Sequence, residues 1–275
     1  MKTTLKLVAG LCFALAIASA RAQDSQEKPG AEFRISYLRG TQKLHDLQAS
    51  PMIYYTTYNG LNLDYKRITE KNRWEFGLEA KTGNMIAPEL GEREFQIEEG
   101  GDSFVLIPSQ YFGEIRAGYQ RQVSSKSKSQ GYLGGMIRDE FYYADGLAMN
   151  TWSMNSLEFA ARYSHFVELG KKHRIEGDVI LPLVAFTARM PYSNVVSQPE
   201  KSQAKAFLEE SEFASIGTYQ HPEIQLSYRY HLAHRSGLEF RYSLDWLHYS
   251  EPRSIKKSNH EIALAWVYFF QFAHH

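Results

Sequence analysis

Large apolar residues occupy every second position in the last stretch of the chain, residues 260–272. The alternating positions are Ile262, Leu264, Trp266, Tyr268, Phe270 and Phe272. The residues between them are small, polar or mixed, so one face of this segment suits lipid and the other a packed interior. A strand that crosses a bilayer at a tilt needs about 9 to 11 residues. The pattern therefore predicts a transmembrane β-strand.

The same period-two alternation recurs along the chain and predicts about ten strands. They lie near residues 32–39, 51–66, 72–82, 110–122, 130–144, 155–168, 173–190, 221–233, 237–249 and 260–272. The connections between them alternate in length, which predicts short periplasmic turns and longer outside loops if the N-terminus is periplasmic. Residues 146–154 count among the longer loops, and residues 200–213 are expected to form a short amphipathic helix that caps the barrel mouth.

The pleat assigns each residue of these strands to one face. In the ninth strand Leu238, Phe240 and Leu244 face lipid, whereas Glu239 and Arg241 face inward. Tyrosines cluster near strand ends, at Tyr54, Tyr55, Tyr142, Tyr143 and Tyr249. We expect these tyrosines to form the aromatic girdles at the two membrane surfaces.

The first 22 residues have the features of a secretory signal peptide. Lys2 and Lys6 form a basic start, an apolar run follows from Leu7 to Ala18, and Ala20-Arg21-Ala22 forms a small-x-small cleavage site. We expect cleavage after Ala22, which leaves residues 23–275 as the barrel domain. Cys12 is the only cysteine, so the mature chain would contain neither a disulfide nor a cysteine nucleophile.

These patterns predict an all-β protein, an antiparallel transmembrane β-barrel of about ten strands after a cleaved signal peptide. The aromatic terminal strand resembles the last strand of bacterial outer-membrane β-barrels. The resemblance implies the outer membrane of a Gram-negative bacterium, contact with outer-membrane lipid and lipopolysaccharide, and insertion by the barrel assembly machinery. Basic and acidic residues are equal in number, 31 each. No nucleic-acid partner is therefore expected, because nucleic-acid binders carry a basic footprint.

The predicted lumen carries charges of both signs. The candidate network comprises Glu75, Glu79, Glu114, Arg116, Arg162, Arg229, Glu239, Arg241 and Asp245. A barrel of this size is nearly filled by its own side chains, and unpaired buried charges are costly. We therefore favour a lumen filled by ion pairs over a narrow polar pore. This interpretation predicts a non-catalytic barrel with a structural role, or an accessory subunit of a larger membrane complex, with a small diffusion channel as the alternative.

Sequence signatures of soluble enzymes and of metal or cofactor sites are absent. The chain contains no G-x-S-x-G, H-E-x-x-H, Walker A or G-x-G-x-x-G motif. The acidic run between Glu89 and Asp102 lacks calcium-loop spacing, so we interpret it as a solvated loop. We expect neither a metal nor a cofactor.

One constellation supports an enzymatic alternative. The ninth strand ends in His248-Tyr249-Ser250, and the last strand opens with Asn259-His260-Glu261. This arrangement resembles the lipid A 3-O-deacylases, small outer-membrane barrels. The resemblance implies that His248 is the base, Ser250 the nucleophile and Glu261 the orienting carboxylate of an acyl-transfer triad. His248 and Ser250 share a face, whereas simple alternation places Glu261 on the opposite face.

Overall fold

The computed structural model describes residues 29–89, 93–96, 103–126, 128–147, 150–190, 200–209, 211–233 and 235–271. The signal peptide expected at residues 1–22 lies outside this part of the chain. Within it, no helix combines the length and the apolar character needed to cross a membrane.

The described residues form fourteen strands and one helix. In chain order they are β1 (Gly30–Asp46), β2 (Ile53–Ile68), β3 (Asn72–Ile86), β4 (Arg93–Gln96), β5 (Ser103–Leu106), β6 (Ser109–Lys126), β7 (Ser129–Leu147), β8 (Asn150–Leu169), β9 (His173–Arg189), α1 (Gln203–Glu209), β10 (Glu212–Ser215), β11 (Tyr219–Gln220), β12 (Glu223–Ala233), β13 (Ser236–Tyr249) and β14 (Ile255–Gln271).

Ten of these strands form a single closed antiparallel barrel, as the sequence predicts. Its order around the wall is β1, β2, β3, β6, β7, β8, β9, β12, β13 and β14. Pairing of β1 with β14, from Gly30 opposite Gln271 to Asp46 opposite Ile255, closes the sheet on itself. Closure leaves no unpaired edge, which is the condition for strands to cross a bilayer.

Buried and exposed residues alternate along the barrel strands and separate an inner from an outer face. The outer face carries a band of exposed apolar and aromatic side chains. The band includes Ile35, Tyr37, Leu61, Leu63, Trp74, Phe76, Leu78, Ile115, Ile137, Phe159, Val179, Leu181, Leu238, Phe240, Ile262, Leu264 and Trp266. Such a continuous band on a closed barrel is the surface that hydrocarbon requires, and the barrel is a transmembrane one.

The connections at the two ends of the barrel differ in length. We call the end with short connections the turn end; there Gly170, with φ of 74°, adopts a left-handed conformation in the turn between β8 and β9. The opposite end is the loop end, which carries the β4–β5 hairpin and α1. The expectation of a longer loop at residues 146–154 is wrong, because β7 extends to Leu147 and β8 begins at Asn150.

Several barrel strands are much longer than a bilayer requires. β6, β7 and β8 have 18, 19 and 20 residues, against about 10 for a tilted transmembrane strand. At the turn end β6 continues to Lys126, five residues beyond Arg121, its last residue paired with β3. The helix expected at residues 200–213 is only seven residues long, with Ala206 and Phe207 buried, and β10 follows it.

Candidate functional site in the barrel lumen

All nine candidate lumen residues point into the barrel, and each lies within 4.0 Å of an oppositely charged side chain. Their partners are in most cases other lumen residues, including Glu32, Arg34, Asp64, Lys66, Lys81, Asp178, His221 and Lys257. These residues come from several strands, because every second side chain of each strand faces inward. The lumen is therefore a three-dimensional network of ion pairs.

The half of the lumen toward the turn end is organised around arginines. Arg229 is nearly fully buried and lies 2.8 Å from both Glu32 and Glu239. The Arg73 guanidinium lies 2.8 Å from Glu176 and 3.8 Å from the centre of the Tyr132 ring. Each guanidinium therefore has carboxylate or aromatic partners that compensate its removal from water.

The central layer connects strands that are not neighbours in the wall. Arg162 on β8 lies 3.0 Å from Glu75 on β3 and 2.8 Å from Asp178 on β9. Arg116 on β6 donates hydrogen bonds to both Asp64 and Glu114. The contacts of Arg162 with Glu75 and of Arg116 with Asp64 join strands that are not neighbours, whereas Asp178 lies on the adjacent strand β9 and Glu114 on β6 itself.

The half toward the loop end contains a denser cluster around Arg138. Its guanidinium lies 2.6 Å from Glu158, 2.6 Å from Glu223 and 3.2 Å from Glu140. His221 Nδ1 lies 2.6 Å from Glu158 Oε1. The sequence places His221 at the start of the predicted strand 221–233 and near the outer rim, but β12 begins only at Glu223. Periodicity does not predict that His221 meets Glu158, because the two residues are 63 positions apart.

Glu140, Glu158 and His221 have the composition of a metal site, with possible ligand atoms within 4.8 Å of one another. Arg138 donates to Glu158 and lies against Glu140 and His221 in the same space. A divalent ion would have to displace this guanidinium. We therefore assign these residues to the ion-pair network.

Buried apolar side chains form a cluster at the loop end, which we call the apolar plug. It consists of Leu44, Tyr54, Met85, Ala87, Tyr142, Ala144, Trp152, Met154, Ala185, Ala214, Tyr219, Leu247, Tyr249 and Ile255. All are buried side chains on the loop-end parts of the strands and on the loop-end segments beside them. The sequence pattern does not predict this plug, because it assigns the tyrosines at these strand ends to the aromatic girdles.

The five tyrosines expected in the aromatic girdles do not share one environment. Tyr55 is 45% exposed on the outer face, whereas its neighbour Tyr54 is buried in the plug. Tyr142 and Tyr249 are likewise buried rather than lipid-facing. At the outer end of β13, burial and the Glu212 carboxylate raise the pKa of Tyr249 to about 12, so its hydroxyl stays protonated and donates to Glu212.

The buried carboxylate of Asp46 accepts hydrogen bonds at the edge of the plug. Asp46 accepts hydrogen bonds from Trp152 Nε1, at 2.8 Å, and from Arg189. Arg189 also donates to the carbonyl oxygens of Glu251 and Arg253, each at 2.7 Å. These bonds tie the connection between β13 and β14 to the outer ends of β1, β8 and β9.

A small cavity remains among the charged side chains. Its volume is about 60 Å³, and its lining includes Arg34, Glu75, Glu79, Arg116, Arg138 and Arg162. The cavity is polar and has room for ordered water between the charged groups.

The structure does not bring the residues of the alternative triad together. His248 is half-buried on the outer face and is paired in register with Lys256. The Ser250 hydroxyl contacts the Thr218 carbonyl oxygen at 3.5 Å. Glu261 points into the lumen, where it accepts hydrogen bonds from Lys81 at 2.6 Å and from Tyr58 at 3.1 Å.

The register shows how far Glu261 is from the proposed nucleophile. Glu261 lies opposite Ser243, seven residues from Ser250, or about 24 Å along a strand. The expectation that Glu261 orients His248 is wrong, because Glu261 faces the lumen and His248 the outer side, five residues or about 17 Å along the strand from Ser243.

No family model and no curated protein matches this chain. Similar solved structures include the toluene transporter TodX of Pseudomonas putida (10% identity, 90% of this chain and 92% of that chain, TM-score 0.37), an outer membrane channel from Pseudomonas putida F1 (9%, 90% and 98%, 0.45) and the translocator domain of the autotransporter NalP from Neisseria meningitidis (9%, 98% and 98%, 0.38). At these identities and TM-scores no family is defined, and the assignment to transmembrane β-barrels rests on the closed barrel and its apolar band.

Proposed function

We propose that this chain is a non-catalytic barrel of the outer membrane of a Gram-negative bacterium, with a largely filled lumen and a structural or accessory role. The observation that carries the proposal is the combination of ion pairs across the lumen with an apolar plug over them. In this proposal the loop end is extracellular and the turn end periplasmic.

The charge arrangement supports a filled lumen. A water-filled pore leaves charged side chains solvated, whereas here Arg138, Arg162 and Arg229 each contact two or more carboxylates. Such contacts replace the water that would otherwise solvate the guanidinium groups. The arginines therefore act as cross-braces between strands.

The plug supports closure at the extracellular mouth. Hydrophobic constrictions oppose ion passage because water and ions leave narrow apolar segments. Trp152 and Tyr249 are 3% and 2% exposed, so they present almost no surface to solvent from either side. An ion that entered from outside would meet this layer before it reached the charged lumen.

Planar-bilayer conductance tests the proposal directly. We expect the purified wild-type barrel to insert without producing conductance steps. Steady ohmic steps from the wild-type protein would overturn the filled-lumen proposal in favour of a small diffusion channel. The heat-dependent gel shift verifies folding, and co-flotation with vesicles of the same lipid verifies insertion independently.

A plug variant locates the barrier in the same experiment. Replacing Tyr142, Trp152 and Tyr249 together with alanine removes three large side chains above the ion pairs. Conductance from this variant alone would assign the barrier to the plug. Absence of conductance from both proteins would assign the barrier to the ion pairs beneath the plug. Replacing the outward-facing Tyr55, Tyr111 and Phe141 with alanine is the matched control, and we expect it to remain silent.

A further inference from the structure

The outer wall of the barrel becomes basic immediately beyond the apolar band on β1 and β14. On β1 the outward residues Ile35 and Tyr37 belong to the band, and the next outward charged residues toward the loop end are Arg39 and Lys43. Both side chains are exposed. The change from apolar to basic residues therefore occurs within a few positions of one strand face.

The neighbouring strand repeats this order. On β14 Ile262 and Leu264 belong to the band, and the exposed outward residues toward the loop end include His260 and Lys256. The His260 ring is held by a contact of 2.7 Å between its Nδ1 and the Tyr242 hydroxyl. The two strands are therefore basic at matching positions.

The strand register brings these residues into one group. Lys43 lies opposite Ser258, so Lys256 is its diagonal neighbour, about 7 to 8 Å away between Cα atoms. Thr41 lies opposite His260, which makes Arg39 and His260 diagonal neighbours as well. We call Arg39, Lys43, Lys256 and His260 the basic patch.

The patch differs from the lumen in having no acidic partners. Among the described residues, no carboxylate forms an ion pair with any of its three Lys and Arg side chains, whereas the lumen arginines are paired. The outward positions of β2 beside it are neutral, namely Tyr55, Thr57 and Asn59. The outward acidic residues of the wall, Asp139 and Asp145, lie on β7, and the exposed Glu251 lies in the connection between β13 and β14 without forming an ion pair with Lys256. Lys43 contacts the Tyr55 ring, with its Nζ 5.7 Å from the ring centre, so the patch keeps its positive charge at the surface of the described residues.

We propose that the basic patch binds the phosphate groups of the phosphorylated glycolipid, lipopolysaccharide, of the outer leaflet. The proposal rests on the membrane placement given above, which puts the loop end outside. The patch begins where the hydrocarbon-facing band ends, at the depth of lipid headgroups. Clustered Lys and Arg side chains at this depth attract anionic headgroups, and guanidinium and ammonium groups make charge-assisted hydrogen bonds with phosphate.

Binding of purified lipid A to the folded barrel in zwitterionic detergent tests the proposal. A triple variant, Arg39→Gln, Lys43→Gln and Lys256→Gln, removes three positive charges without changing the lumen. We expect its Kd for fluorescently labelled, phosphorylated lipid A to rise about tenfold or more. We expect raised salt to weaken binding by the wild-type protein and to reduce the difference between the two proteins.

A matched control removes the same charge from the opposite end of the barrel. Arg121, Lys126 and Lys171 are exposed at the turn end, and their triple change to glutamine should alter the Kd less than twofold. Dephosphorylated lipid A should bind the wild type and the patch variant equally. An equal rise in Kd for the patch and control variants, or an unchanged Kd for the patch variant, would overturn the proposal.

The design separates this proposal from the filled-lumen proposal. The binding assay needs only a folded barrel, which the heat-dependent gel shift establishes for each variant. Conductance of the wild-type barrel would overturn lumen closure and leave the lipid result unaffected.

Discussion

Arg162 on β8 lies 3.0 Å from Glu75 on β3, although β6 and β7 separate these two strands in the barrel wall. The pair therefore spans the interior and connects parts of the sheet that share no backbone hydrogen bonds. It illustrates how the lumen charges can stabilise the barrel shape itself.

Replacing Arg162 with methionine should destabilise the barrel by about 3 to 5 kcal/mol, because Glu75 and Asp178 would lose a buried partner. The free energy of unfolding in denaturant, measured in lipid vesicles, checks this. The control is Lys201→Met, which removes the half-exposed pair with Glu209 and should cost about 1 kcal/mol or less. Equal effects of the two changes would argue against cross-bracing by Arg162.

The outward face of β2 provides a test of the apolar band. Leu63 lies between Leu61 and Tyr65 on this face, and all three are exposed. We expect Leu63→Arg to cost about 2 to 4 kcal/mol, as for charged residues on the lipid face of such barrels. Thr57→Arg, on the same face but beyond the band, should have little effect on the unfolding free energy. A tolerated arginine at Leu63 would show that this surface does not face hydrocarbon.

Gly77 gives space to the central ion pairs. A Cβ atom there would lie 2.6 Å from Arg116 Nε and 2.7 Å from Asp64 Oδ1. We expect Gly77→Ala to destabilise the barrel by about 1 to 3 kcal/mol through overpacking. Gly113→Ala is the matched control, since no heavy atom lies within 4 Å of the added methyl group, and it should be neutral or slightly stabilising. Similar unfolding free energies for both variants would contradict this packing.

We expect no removal of acyl chains by this protein. The structure holds Glu261 in the lumen with Lys81, away from His248 and Ser250, so Glu261 does not orient the proposed base. Mass spectrometry of lipid A incubated with the purified barrel measures acyl loss. Loss that disappears in both His248→Ala and Ser250→Ala would establish a deacylase and overturn the non-catalytic proposal.

The placement in the outer membrane has its own test. Protein that begins at Gln23 should fractionate with outer membranes of a Gram-negative host and migrate faster unboiled than boiled, because a closed barrel resists unfolding by detergent. Recovery from the soluble periplasmic fraction without a heat-dependent shift would contradict the outer-membrane localisation, and an N-terminus other than Gln23 would contradict the expected cleavage site.

The sequence predicts the wall of this barrel well because each wall residue meets only one of two environments. In β13, Phe240 faces outward and Arg241 inward, as alternation alone indicates. The strand count follows from the same local signal. Alternation predicts less at the strand ends. Tyr54 and Tyr55 are both aromatic there, and alternation does not distinguish a plug residue from a girdle residue.

Only the tertiary structure decides which charges meet and which apolar side chains cluster at the loop end. Glu261 pairs with Lys81, 180 positions away, and Arg73 pairs with Glu176, 103 positions away. Such contacts depend on barrel circumference and strand stagger, which fix the height of every side chain in the lumen. Periodicity along a single strand carries no information about either quantity. The sequence by itself therefore determined the two faces of the wall, and barrel closure decided the ion pairs and the plug.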